Sequence, residues 1–161
     1  MFPDFKELLK SFNANHVKYL VVGGYAVSIH AQPRATKDLD VFIKADAENA
    51  KAVHAALTSF GAPLQDIKIE DLANAKKFFR FGQEPVAVDI LPHIDGVDFD
   101  DAWMHRETVV IDPASGLTAF FISKADLISS KLAAGRTRDL ADVEEIRDAD
   151  AKQRREHEKH D

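Results

Sequence analysis

The chain has 161 residues, 45% of them apolar and 30% charged, with a formal charge of −6 and no cysteine. That is enough chain for one domain with a real core, and the lack of cysteine excludes disulfides, thiolate metal sites and cysteine nucleophiles. The acidic balance argues against a protein that coats nucleic acid through a generally basic surface, although a local basic groove survives inside an acidic total.

No stretch approaches the roughly 18 apolar residues of a membrane span, and MFPDFKELLK lacks the charged start and apolar run of a signal peptide, so the expectation is a cytoplasmic protein with no membrane partner. Asp4 is placed to cap a first helix carrying Phe5, Leu8, Leu9 and Phe12 at helical spacing, and Asn13-Ala14-Asn15 breaks it. An apolar strand, Tyr19-Leu20-Val21-Val22, runs into Gly23-Gly24, and a compact helix over residues 25–30 stops before Pro33. A second strand opens with Asp38-Leu39-Asp40. Alternation puts both acids on one face, with Leu39 and Val41 on the other.

Asp46 then leads a helix over residues 47–60, striped by Ala50, Val53, Ala56, Leu57 and Phe60 and ended by Gly61. A short helix is expected over residues 69–75. Strands over residues 78–81 and 86–91 are joined by Gly82-Gln83-Glu84-Pro85, a turn of hairpin length, which predicts an antiparallel pair. Next come a brief helix over 99–104, a strand over 108–111, and a strand or bridge over 117–122. Ser123 opens a clear helix with Asp126 in its first turn and Gly135 at its end, and residues 140–146 form another. Residues 147–161 carry no large apolar side chain and read as an exposed, frayed helical tail to a single domain over residues 1–146.

A Gly-Gly turn between strand and helix permits positive φ and lets backbone N–H groups approach an anionic phosphate at the helix N-terminus; a plain turn is the competing reading. Asp38 and Asp40 are either charged residues at an exposed strand start or a cation site. Asp89 lies mid-strand between Val88 and Ile90, where an ionised carboxylate is costly without a positive partner. That partner is either an arginine or Mg²⁺ held jointly by the three acids, together with water and phosphate oxygens. His30, at the end of a short helix, is read as packing or surface rather than an acid–base group.

Val22-Gly23-Gly24, then Asp38-Leu39-Asp40-Val41, then Asp89 within VAVDIL, resembles the signature of the polymerase-β-like nucleotidyltransferase superfamily. Arg34-Ala35-Thr36-Lys37-Asp38-Leu39-Asp40 further resembles small bacterial members related to abortive-infection toxins. Their C-terminal helices carry a pattern similar to Lys131, Arg136 and Asp139 through Asp142. The resemblance implies an α+β fold, a mixed sheet flanked by helices with further C-terminal helices. It also implies transfer of a nucleoside monophosphate from a nucleoside triphosphate such as ATP to a hydroxyl, releasing pyrophosphate. Carried over, Gly23 and Gly24 hold the triphosphate, Asp38 and Asp40 bind Mg²⁺, as two ions, and Asp89 completes the metal site and assists deprotonation. Arg34 and Lys37 face either phosphate or the neighbouring acids. Lys131 and Arg136 face phosphate or pair with Asp139 and Asp142. The acceptor is RNA, a protein or a small molecule, bound in an open groove or with a partner chain. The alternative is a nucleotide-binding or regulatory module without turnover, such as one half of a toxin–antitoxin pair.

Overall fold

A computed structural model of the chain describes residues 1–83 and 86–160. Helix α1 (Pro3–Ala14) lays Phe5, Leu8, Leu9 and Phe12 into the core, as its stripe requires. Its start differs from expectation. Phe2 is the cap residue, with no side-chain cap bond, and Pro3 begins the helix, where a missing N–H is harmless. Asp4 therefore sits inside the first turn, favoured by the positive helix end, rather than capping it.

Strand β1 (Tyr19–Val22) is buried along its length and passes directly into α2 (Gly23–His30), which includes both glycines. Strand β2 (Leu39–Ile43) starts one residue after Asp38. Helix α3 (Ala47–Phe60) has the anticipated ends: the Asp46 carboxylate accepts from Asn49 N, and Gly61 takes φ 90°. After the one-turn α4 (Ile69–Leu72), which is shorter than expected, come β3 (Phe79–Gln83) and β4 (Val86–Leu91). They pair antiparallel as the hairpin spacing predicts, although Glu84 and Pro85 of the expected turn lie outside the described residues.

Helix α5 (Phe99–Met104), strands β5 (Glu107–Asp112) and β6 (Leu117–Phe121), and α6 (Lys124–Ala134) follow, the last capped by Ser123 Oγ and ended by Gly135. Helix α7 (Thr137–His160) is continuous: residues 147–160 are helical and outside the core, as the sequence implies, and they join the helix expected over 140–146 without a break. No glycine or proline interrupts them, and Asp150 anchors the stem through Lys124 at 2.9 Å and pairs with Arg154 at 3.2 Å. Beyond Ile146 no side chain is buried, and Asp161 is outside the described residues. Among the described residues no helix is long and apolar enough to cross a membrane.

The strands form one six-stranded sheet in the order β3-β4-β2-β1-β6-β5. β2 is parallel to β4 and antiparallel to β1, β1 is parallel to β6, and an antiparallel hairpin strand completes each edge. This is the expected mixed sheet. Helices α1 and α3 pack together, as do α2, α6 and α7. The second group surrounds the end of β1 where the Gly-Gly turn begins.

Candidate active site

Sheet register assembles the site. Val22 is opposite Asp40, Asp40 is beside Asp89, and Asp89 is opposite Arg80, so these positions form one row across β1, β2, β4 and β3. Side chains at neighbouring register positions project to the same face. Two acids far apart in sequence are thereby made adjacent.

The glycines at the end of β1 are dictated by this row. Gly23 has φ +66°, and a Cβ there would fall on the Asp40 carboxylate. Gly24 has ordinary φ, but a Cβ would come 2.8 Å from Thr36 Cγ2. Gly23 is therefore packed against Asp40 and Gly24 against Thr36 of the loop before β2, and that loop is held by two further contacts. Tyr25 Oη donates to Thr36 O at 3.2 Å, and Arg34 Nη1 donates to Asp142 Oδ1 on α7 at 2.8 Å.

Asp40 is the most perturbed acid. Burial pushes its pKa up to about 7, a shared hydrogen bond with Asp89 and the charges of Asp89 and Asp38 add to this, and Lys131 opposes it. Asp38 lies just before β2, not in it, yet reaches the same face: its Oδ2 accepts from Arg80 Nη2 at 3.2 Å. The other carboxylate oxygen, Oδ1, is buried without a hydrogen-bond partner. Arg80 Nη1 donates to both oxygens of Asp89, at 3.2 and 3.0 Å. Of the two partners the sequence allows for Asp89, the structure supplies the arginine. Asp40 shares a hydrogen bond with Asp89, and Asp38 and Asp89 are joined through a guanidinium; among the described residues the three acids do not stand together as the metal site that the sequence leads one to expect.

Beside the acids opens a cleft of about 260 Å³, lined by Gly23, Gly24, Arg34, Asp40, Lys131 and Arg136 among others. Its basic wall comes from α6 and the start of α7. Lys131 Nζ lies 2.9 Å from Asp142 and 3.3 Å from Asp139, and Arg136 Nε donates to Asp139 at 2.6 Å. Burial would raise both of these acids, but hydrogen bonds from Arg136 and Lys131 hold Asp139, and from Arg34 and Lys131 hold Asp142, below the ordinary carboxylate range. The two readings of Lys131 and Arg136 thus coexist: each is paired with an acid, and each still lines the cleft.

Lys37 is exposed and does not line this cleft. His30 is a packing residue, buried with Nε2 donating to Ile122 O at 2.9 Å. Two cleft or site residues escape sequence reasoning. Arg138 follows Arg136 without a motif of its own, and Arg80 is visible only once β3 is set in register against Asp89.

The site thus combines a glycine turn after a buried strand, Asp38 just before the next strand and Asp40 within it, and a third acid on the parallel neighbour, beside a basic cleft that Asp40 lines. Residues 2–148 match the family described as "Nucleotidyltransferase of unknown function (DUF6036)", and the chain belongs to that family. In fold it is similar to the crystal structure of the lincosamide antibiotic adenylyltransferase LnuA, lincomycin-bound, with a TM-score of 0.55 and 15% identity over 91% of this chain and 96% of that one. It is also similar to an antigenic nucleotidyltransferase-like protein from Paracoccidioides brasiliensis, with a TM-score of 0.52 and 16% identity over 88% of this chain and 72% of that one. No curated protein matches it by sequence.

Proposed function

We propose that the chain transfers a nucleoside monophosphate from a nucleoside triphosphate to a hydroxyl acceptor, releasing pyrophosphate, with Asp40 in the cleft and Asp38 and Asp89 beside it as the reacting acids. The observation that carries this reading is the adjacency of the Asp40–Asp89 pair to a glycine turn and a basic wall. The acids suit a cation, the wall suits an anion, and a metal-bound triphosphate presents both.

The donor set fits Mg²⁺ in two respects: Asp38 Oδ1 is buried without a partner, and Asp40 is crowded by carboxylates that a divalent charge would relieve. Among the described residues no three acidic or histidine side chains already stand as a ready ligand cage. Asp38 and Asp40, with Asp89 beside them, are the residues that would hold the ion, which when bound polarises the α-phosphate and lowers the pKa of the attacking hydroxyl. The protein's own work is then positioning and proton transfer. Backbone N–H groups at the start of α2 face the triphosphate, free of side-chain obstruction at Gly23 and Gly24. Lys131, Arg136 and Arg34 supply positive charge to the phosphates and leaving group while Asp139 and Asp142 keep them oriented. In this reading Asp89 takes the proton of the acceptor hydroxyl once its oxygens leave Arg80, and Asp40, raised to about 7, takes part in the same proton balance.

LnuA, a lincosamide antibiotic adenylyltransferase in its lincomycin-bound structure, shares this fold over 91% of this chain and 96% of that one, which supports a small-molecule acceptor. Arg80 favours a second reading. A guanidinium already neutralising Asp38 and Asp89 suits a module that binds nucleotide without turnover. Incubation with each triphosphate and Mg²⁺ in a cell extract separates the two: the enzyme releases pyrophosphate in step with a nucleoside monophosphate mass added to one component. Tight triphosphate binding with no pyrophosphate would leave the binding module.

A further inference from the structure

The guanidinium of Arg80 lies against the acid cluster. It spans Asp38 Oδ2 at 3.2 Å and both Asp89 oxygens at 3.2 and 3.0 Å, so one side chain ties Asp38, in the loop before β2, to Asp89 of β4. We infer that Arg80 is the resident cation of this cluster and competes with divalent metal for Asp38 and Asp89, which become available to an ion only when the guanidinium turns away. The inference rests on the nucleotidyl-transfer reading above.

Three features carry it. Carboxylate lone pairs directed at N–H donors are not free for a metal, and arginine, unlike lysine, does not yield by losing its proton. The second feature is a route out. Arg80 stands on the edge strand β3 with its side chain 44% exposed, whereas Asp89 is 16% exposed and fixed within β4. The arginine can therefore swing outward without disturbing the core, while the acid stays. The third is incomplete satisfaction: with Arg80 in place, Asp38 Oδ1 still lacks a partner and Asp40 is still crowded by like charge. The guanidinium balances the cluster without completing it.

Metal and triphosphate then bind cooperatively. An anionic triphosphate in the neighbouring cleft offers Arg80 a new partner, and the acids it leaves become open to the ion that accompanies the nucleotide. Metal alone meets an occupied site.

The test is Mn²⁺ binding to the full chain by calorimetry, with and without a non-hydrolysable triphosphate analogue, for the original protein, Arg80→Gln and Arg80→Lys. Without nucleotide, Arg80→Gln should bind Mn²⁺ about tenfold or more tightly than the original, the scale of losing charge-assisted hydrogen bonds that compete with the ion. Arg80→Lys keeps the charge but not the fork, and should fall between them; it also answers the question if Arg80→Gln does not fold. With the analogue present the gap should narrow. Equal or weaker Mn²⁺ affinity in Arg80→Gln and Arg80→Lys, while the original binds Mn²⁺ with the analogue, would overturn the inference and leave the metal reading standing. No Mn²⁺ binding by any of the three proteins, even with the analogue, would overturn both.

Discussion

Replacing Asp40 by asparagine should stabilise the metal-free protein and abolish nucleotidyl transfer. The carboxyl is pushed from 3.8 up to about 7 by burial, by its hydrogen bond with Asp89 and by the charges of Asp89 and Asp38, against the pull of Lys131. At about 1.4 kcal/mol per pH unit, keeping it ionised above pH 7 costs the folded state about 4 kcal/mol. An amide removes the charge and can donate to Asp89 as the protonated acid does, but it must still be hydrogen-bonded where it is buried, so the net gain is set at about 2 kcal/mol. For a chain of this size that raises Tm by about 4–8 °C. The sign reverses the usual acid pattern. A carboxyl with a raised folded pKa binds more protons in the folded state between pH 4 and 7, so stability falls as pH rises through that window and its penalty is complete above 7. Melting curves at pH 8 and pH 5.5 should therefore show a clear advantage for Asp40→Asn at the higher pH and almost none at the lower, where about half of the charge penalty is gone and the cost of burying the amide offsets the rest. A Tm gap equal at both pH values, or an Asp40→Asn protein less stable at pH 8, would refute the charge-crowding account.

Gly24→Ala should lose stability because its methyl meets Thr36 Cγ2, and adding Thr36→Ser, which removes that carbon, should recover most of the loss in a thermal melt. If the double variant still binds triphosphate weakly, the methyl obstructs the ligand itself. Lys131→Met should destabilise by about 3 kcal/mol, as expected when one partner of a buried ion cluster is removed, and should also weaken triphosphate binding in the same titration. Asp139 and Asp142 are held below the ordinary carboxylate range, so their stabilisation is present above about pH 4 and lost on further acidification; denaturant unfolding should show Asp142→Asn flattening that acid limb.

Elements with strong local signals were legible. Asp46 and Gly61 mark the ends of α3, Ser123 and Gly135 those of α6, and the β3–β4 pairing followed from its spacing, because capping bonds and hairpin lengths are local properties. Asp4 misled because Pro3, one residue earlier, already satisfies the helix start. The tail past Ile146 reads as helical, but its unbroken join to the residues before it leaves no trace in hydrophobic periodicity, since a solvated helix of charged residues has no apolar stripe to read. At the site, the paired acids and glycine turn could be read as a pattern, and the structure adds what packing decides. Gly23 is small because Asp40 abuts it. Arg80 reaches Asp89 through strand register, which no residue type within FRFG announces. The double role of Lys131, tied to Asp139 and Asp142 yet lining the cleft, likewise depends on how α6 meets α7.

The central claim, that this cleft moves a nucleoside monophosphate through Asp38, Asp40 and Asp89, is tested most directly by parallel reactions with a triphosphate labelled at the α- or the γ-phosphate, with Mg²⁺ and a cell extract, for the original protein and Asp40→Asn. The account predicts that the original attaches only the α-label to an acceptor and releases the γ-label as pyrophosphate, and that Asp40→Asn does neither while remaining folded. Attachment of the γ-label, or undiminished α-label transfer by Asp40→Asn, would contradict it.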